Sequence, residues 1–286
     1  IPFTILTTLI NFSKNFLIKK KYKIKTICVG NIYIGGTGKT SLCIQINKIL
    51  KNRFKTVFIK KRYLDQLDER KMLQTHGKLI SSENRGISLN KAEAKKFNLA
   101  ILDDGLQDKR IDYDISIACF NSTYGIGNGY LLPAGPLREK LEILKKYSAI
   151  FLIGEKKNTK LTSKLKKFND KIFYSKYVPI NIKNFDRKKS YLYFCGIGNP
   201  EEFENTLSKY NFRISKKLIF PDHHNYTNKD LEKIRKIAFK DKLEIITTEK
   251  DYERLTNNNK KNIKYLKVEL QIKNFKKFSN FLKEKI

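Results

Sequence analysis

Apolar and polar positions alternate along this chain in two periods. Short β-favouring runs at Ile24–Val29, Thr56–Ile59, Lys78–Ser81, Leu99–Leu102, Ile115–Phe120, Ala149–Ile153 and Lys171–Tyr177 predict strands. Between them, helical spacing predicts helices at Ser41–Leu50, Leu89–Phe97 and Arg138–Tyr147, whereas Lys60–Gln74 reads only as polar and charged. This alternation from 24 to 177 argues for one α/β sheet domain. A polar stretch, Asn181–Lys189, follows as a plausible hinge. Beyond it lie strands at Tyr191–Cys195, Ile214–Phe220, Glu244–Thr248 and Ile263–Val268, with helices at Glu201–Tyr210, Asn228–Phe239 and Asn274–Lys283. The expectation is an α/β chain with a larger parallel-sheet domain at 1–180 and a smaller α/β domain at 181–286.

Residues 3–18 repeat apolar side chains at helical spacing, interrupted by Thr, Asn, Ser and Lys, and Lys19, Lys20, Lys21, Lys23 and Lys25 follow. The run is too broken to span a bilayer, and its charge follows the apolar part, the reverse of a secretory signal. Two readings stand: an amphipathic helix on an anionic membrane surface, or a helix packed on its own domain. The first residue is Ile1 and not Met, compatible with numbering that begins inside a longer chain.

Composition changes the picture in one respect. The 286 residues carry a net charge of +32, which points to nucleic acid, to an anionic surface, or to compositional drift towards Lys, Asn and Ile. Lysines are spread along the whole chain, often beside Asn, which favours drift. The hydrophobic share of 40% is ample for real cores. Cys28, Cys43, Cys119 and Cys195 form no C-x-x-C pair and read as buried thiols of a reducing compartment.

The candidate chemistry begins at Val29-Gly30-Asn31-Ile32-Tyr33-Ile34-Gly35-Gly36-Thr37-Gly38-Lys39-Thr40, between a strand and a helix. That is the order of a phosphate-binding P-loop. Gly35, Gly36, Thr37 and Gly38 would wrap the phosphates of ATP with backbone N–H groups. Lys39 would reach the β- and γ-phosphates, and the Thr40 hydroxyl would ligate Mg²⁺. Tyr33 stands where the consensus has its first glycine; the bland alternative is a glycine turn with a chance Gly-Lys-Thr.

Asp103 and Asp104 end a buried strand, where open parallel sheets place ligands, and so read as a metal site; Asp-Asp-Gly is also a common turn. Arg138 and Glu139, after the loop Asn121–Pro136, read either as a phosphate contact and a metal ligand or as an ordinary helix start. Asp222-His223-His224 reads as a proton-handling loop or as a capping turn with Asn225 or Asn228 as cap. Thr247-Thr248-Glu249-Lys250-Asp251 reads as a capping-box-like start or as a nucleotide contact.

Taken in order, these five motifs resemble the tetraacyldisaccharide 4′-kinase family of lipid A biosynthesis, over nearly the whole chain. The resemblance implies a P-loop kinase that transfers the γ-phosphate of ATP to the 4′-hydroxyl of a tetraacyldisaccharide 1-phosphate. It also implies a peripheral place at the cytoplasmic face of the bacterial inner membrane. By position, the family's presumed general base falls on Asp68, within Leu67-Asp68-Glu69-Arg70, with His223 as its partner. Lys39 and Arg138 complete the catalytic set; Thr40, Asp103, Asp104 and Glu139 form the expected metal set. Where the family has Ser-Arg-Gly-Tyr, this chain has Lys60-Lys61-Arg62-Tyr63, whose cations could serve a sugar phosphate; where it has His after Asp-Gly-Leu-Gln, this chain has Asp108. A monomer that binds no nucleic acid is expected. The competing expectation, favoured by the charge, is a P-loop ATPase or GTPase acting on nucleic acid or as an assembly factor. Glu249-Lys250-Asp251 fits the guanine-reading motif poorly, and no aromatic interleaving for base stacking is evident.

Overall fold

The computed structural model describes residues 18–63, 66–155 and 158–286. They form two compact units. One takes the described residues up to Arg62 with Leu73–Tyr177 and Leu270–Ile286; the other takes Tyr63–Met72 and Val178–Glu269. The main break falls close to the expected hinge, but two excursions differ from a single cut at 180. A short segment around Asp68 belongs to the second unit, and the chain's last stretch returns to the first.

The first unit is built on an eight-stranded sheet of order β12-β7-β6-β5-β1-β4-β2-β3. Its strands are β1 (Lys25–Gly30), β2 (Thr56–Lys61), β3 (Leu79–Ser82), β4 (Leu99–Asp103), β5 (Ile115–Asn121), β6 (Ala149–Ile153), β7 (Ile172–Pro179) and β12 (Val268–Ile272). Pairing from β3 through to β7 is parallel. The central strands are buried along their length, as a sheet covered on both faces requires. Its helices are α1 (Lys39–Leu50), α3 (Arg85–Ala94), α4 (Thr159–Lys166) and α8 (Phe275–Lys285), with the end of α2 (Leu67–His76).

Three sequence expectations shift for local reasons. Helix α3 starts earlier than Leu89 because the Asn84 side chain caps it, accepting from Gly86 N. The helix expected from Arg138 is only a short 3-10 turn, Leu141–Lys146. The strand expected at 263–268 divides into β11 (Ile263–Leu266) in the second unit and β12 beside β7. After β12, α8 packs on the first sheet: Phe278 is fully buried, its ring 5.2 Å from Phe151 and 4.9 Å from Phe173.

The second unit has a four-stranded parallel sheet of order β11-β10-β8-β9, with β8 (Ser190–Cys195), β9 (Arg213–Ile219) and β10 (Glu244–Thr248). Helices α5 (Pro200–Lys209), α6 (Asn228–Lys240) and α7 (Glu249–Arg254) connect them, and the first turns of α2 belong here. Apolar clusters line both faces of β8, one around Tyr191, Tyr193 and Phe203, the other around Leu192, Phe194 and Ile234. All four cysteines are buried and unpaired, and burial pushes the Cys28 thiol up to about 12. No helix among the described residues is long and apolar enough to cross a membrane.

Candidate active site

In the first unit, β1 and β4 lie side by side, so the loops leaving their carboxyl ends are neighbours. The loop after β1 carries the glycines and runs into α1. That helix has no side-chain N-cap and no acidic residue in its first turn. Its leading N–H groups are therefore uncapped by side chains, as an anion site at a helix start requires. Gly38, at φ 70°, cannot be replaced cheaply: a Cβ there would lie 2.5 Å from Tyr177 Oη and 2.7 Å from Ile153 Cδ1.

Tyr33, the departure from the consensus, anchors this loop. Its hydroxyl accepts from Asn121 N at 2.7 Å, and its ring lies 5.6 Å from Phe120. Beside it the loop is stitched to the segment before Arg138: Ile34 N donates to Pro136 O at 2.9 Å and Arg138 N to Ile32 O at 2.7 Å. This pairing explains why Arg138 and Glu139 do not start a helix. Their backbone is committed to the phosphate loop.

The Asp103 carboxylate is fully buried. Its Oδ2 accepts from Thr40 Oγ1 at 2.9 Å and from Lys60 Nζ at 2.8 Å, while Oδ1 has no hydrogen-bond partner. Asp104 Oδ1 also lacks one; the nearest cations are Lys39 at 3.7 Å and Arg138 at 3.9 Å, beyond hydrogen-bond reach. Arg85 holds the Asp104 carbonyl and thus the turn that presents both carboxylates. Two orphaned carboxylate oxygens beside a hydroxyl are hard ligands. Among the described residues no group of three or more His, Cys, Asp or Glu makes a closed cage. Such a set suits a small hard cation that keeps waters and phosphate oxygens as its other ligands.

Glu139, expected among the metal ligands, has another occupation. Its carboxylate meets Lys109 at 2.6 Å, Tyr147 Oη at 3.2 Å and Gln107 Nε2 at 3.3 Å. Gln107 also donates to Asn31 O, so Glu139 braces the loop after β4 against the loop after β1. Lys60 likewise is no substrate cation, being 1% exposed and spent on Asp103. Asp108, which stands where the resembled family has His, pairs with Arg110 at 2.9 Å.

The second unit gathers a different set. Asp68 and Glu69 open α2, a helix that the polar pattern of 60–74 concealed. The Asp68 side chain is 1% exposed, with Arg254 Nη2 at 2.7 Å from Oδ2 and His223 Nδ1 at 3.6 Å from Oδ1. Glu69 meets Lys250 at 2.8 Å. Burial alone would raise the Asp68 carboxyl. Its contact with His223 and the charges of Lys250 and Arg254 outweigh that and hold it well below the usual carboxylate range. Asp68 in turn raises the His223 imidazole above 6.5, against burial and with help from Asp222.

The two histidines diverge. His223 takes a left-handed φ of 59° and faces Asp68, whereas His224 stacks on Phe220 and contacts Asp230 at 3.1 Å. A left-handed φ is uncommon outside glycine, and histidine is one of the residues that adopt it more readily. The cap of α6 is neither Asn225 nor Asn228 but Thr227, which forms a capping box with Asp230. Thr248 caps α7, accepting from Asp251 N at 3.1 Å, as the capping reading of that motif expects. Nothing in the local sequence announces the Lys250–Glu69 and Arg254–Asp68 contacts. Only their position one helical turn apart hinted that both would point the same way.

A model of the family described as tetraacyldisaccharide-1-P 4'-kinase matches residues 2–75 and 65–286. The chain is 46% identical over 286 residues to a tetraacyldisaccharide 4'-kinase of Pelagibacter ubique (strain HTCC1062), covering 99% of this chain and 91% of the relative. To the enzyme of the same name from Rickettsia canadensis (strain McKiel) it is 37% identical over 281 residues, 92% of this chain and 84% of the relative. Among solved structures it resembles the "apo" form of LpxK from Aquifex aeolicus in complex with ATP, with a TM-score of 0.74 at 22% identity, over 99% of this chain and 97% of that one.

Proposed function

The chain belongs to the tetraacyldisaccharide-1-P 4'-kinase family, ATP-dependent kinases of lipid A biosynthesis, and from that premise we propose how its residues divide the work. Gly35, Gly36, Thr37, Gly38, Lys39 and Thr40 hold the triphosphate of ATP through backbone N–H groups and the Lys39 ammonium. Thr40 and Asp103, with Asp104 beside them, would hold Mg²⁺, which when bound would supply positive charge against the phosphates. Lys39 and Arg138, both near Asp104 without bonding it, turn to the γ-phosphoryl group. Glu139 stays outside the metal set because its carboxylate is already satisfied.

The nucleophile is the 4′-hydroxyl of the disaccharide. Its oxygen forms a bond to the γ-phosphorus as the bond to the bridging oxygen of ADP breaks. The hydroxyl proton needs an acceptor, and Asp68 Oδ1 is that acceptor, with His223 as its partner. The observation that carries this reading is Asp68 itself: a buried, ionised carboxylate with one oxygen bonded and the other open towards His223.

The substrate sets the place of work. Each buried CH₂ is worth about 0.8 kcal/mol, so a four-chain lipid stays in its bilayer and the enzyme comes to it. We infer a peripheral monomer on the anionic cytoplasmic face of the inner membrane. The expected amphipathic segment 3–18 falls almost wholly outside the described residues; co-sedimentation with anionic vesicles, with and without residues 1–18, checks its part. The decisive assay incubates the protein with γ-labelled ATP and tetraacyldisaccharide 1-phosphate in mixed micelles. Label should pass to the lipid. Hydrolysis stimulated by nucleic acid, with no labelled lipid, would overturn the reading.

A further inference from the structure

One guanidinium governs the Asp68 carboxylate. Arg254, in the last turn of α7, donates from Nη2 to Asp68 Oδ2 at 2.7 Å and from Nη1 to Asp251 Oδ1 at 2.9 Å. Nη1 also donates to the Gly196 carbonyl, and the side chain is only 6% exposed. Nη2 lies 3.4 Å from His223 Nδ1. The far end of this bridge is fixed. Asp251 accepts from Gly196 N at 3.0 Å, from Tyr226 Oη at 2.8 Å and from Thr248 Oγ1 at 2.6 Å.

The consequence for Asp68 is geometric. A charged donor engages Oδ2, while Oδ1 has no hydrogen-bond partner and faces His223. The two carboxylate oxygens are thereby made unequal. Other charged or titratable groups of the cluster are Glu69 and Lys250, from α2 and α7, Asp222 from the histidine loop, and Asp251 and Tyr226 behind Arg254.

Resting on the assignment of Asp68 as proton acceptor, we propose that Arg254 is the positioning residue that selects Asp68 Oδ1 as the reacting oxygen and holds it in line. Its planar fork reaches Asp68 and Asp251 at once. A lysine ammonium, a single point donor on a flexible stem, keeps the charge but cannot reproduce both ends of the bridge.

The test uses the full chain and the mixed-micelle assay, comparing Arg254→Met, Arg254→Lys, Asp68→Asn and the Arg254→Met/Asp68→Asn pair across pH, with melting temperatures in parallel. Misplacing a reacting group by an ångström costs about 10²-fold in turnover, so kcat for Arg254→Met should fall by about that factor while KM for ATP holds. Without the guanidinium the Asp68 carboxylate is less stabilised, so the acid limb of the kcat profile should move to higher pH. Arg254→Lys should lose turnover with its acid limb still low, and it covers the case in which Arg254→Met fails to fold. The paired variant should be no slower than Asp68→Asn alone, because the arginine acts through the aspartate. An unmoved acid limb in Arg254→Met, or losses that simply add in the paired variant, would reduce Arg254 to a strut and overturn the proposal. If Asp68→Asn itself turns over normally, the base assignment falls and the proposal falls with it; a dead Asp68→Asn beside a normal Arg254→Met sinks Arg254 alone.

Discussion

The phosphate-loop site of the first unit and the Asp68 cluster of the second are both rich in buried charge, yet they are finished to different degrees. At the phosphate loop, Asp103 Oδ1 and Asp104 Oδ1 have no hydrogen-bond partner, Lys39 and Arg138 stand 3.7 and 3.9 Å from Asp104, and α1 starts without a side-chain cap. Around Asp68, the charged groups are already in direct contact: Arg254 with Asp68 and Asp251, Lys250 with Glu69. Buried polar groups left unpaired are costly; the first arrangement leaves two such oxygens beside an uncapped helix start, as a ligand site does, whereas the second leaves Asp68 Oδ1 open and meets its other charges internally. On the proposed reading, ligand binding falls to one unit and proton handling to the other.

The largest expected effect falls on the Asp68 cluster. Asp68→Asn removes the proposed proton acceptor and should lower kcat by about 10²–10⁴-fold. Nucleotide binding, followed with a fluorescent ATP analogue, should persist; if it is lost as well, Asp68 belongs to the nucleotide and the division fails. Next comes the side that awaits its ligand. Lys39→Ala should cost about 10²–10³ in turnover, as loss of one transition-state donor does elsewhere. Near-normal kinetics would show that the glycine loop does not grip a γ-phosphate.

A smaller effect sharpens the boundary of the metal set. Glu139→Gln disturbs a satisfied network and should cost about 1–3 kcal/mol of stability. The Mn²⁺ affinity of the nucleotide complex should not change; a clear weakening would return Glu139 to the ligands. The smallest effect is in pH. Because Asp68 raises the His223 imidazole above 6.5, that contact contributes stability that is complete below about pH 6.5 and fades as pH climbs past the raised value. The depressed Asp68 contributes in the opposite sense, fully above its ordinary carboxylate range and lost only in strong acid. Thermal melts of wild type should therefore decline from mildly acidic to alkaline pH more than those of His223→Gln; parallel curves would remove the imidazole from the ionic cluster.

Local chemistry made much of this legible. The strand, glycine and helix order of 24–50 is written in adjacent residues, and the apolar run ending in Asp103-Asp104 announces its own place at a strand end. What stayed hidden is what the fold brings from afar. Lys60 reaches Asp103 across 43 positions and Arg254 reaches Asp68 across 186, and no local spacing encodes either pair. Helix α2 was obscured because Leu67–His76 carries few apolar residues, Leu73 alone being fully buried. The expected helix at Arg138 failed for the opposite reason, since a non-local pairing with the phosphate loop overrode a helix-compatible sequence. Tyr33 shows both at once: it departs from the consensus glycine, and only its bond to the β5 backbone says what it replaces that glycine with.

The return of Leu270–Ile286 to the first sheet has a consequence for biogenesis. A ribosome that has made β1 to β7 has not yet made β12 or the aromatic plug of Phe278, which fills the gap beside Phe151 and Phe173. The whole second unit must emerge first. The sheet of the first unit thus waits for β12 and Phe278 before it is sealed, while the second unit can close around its own four strands sooner.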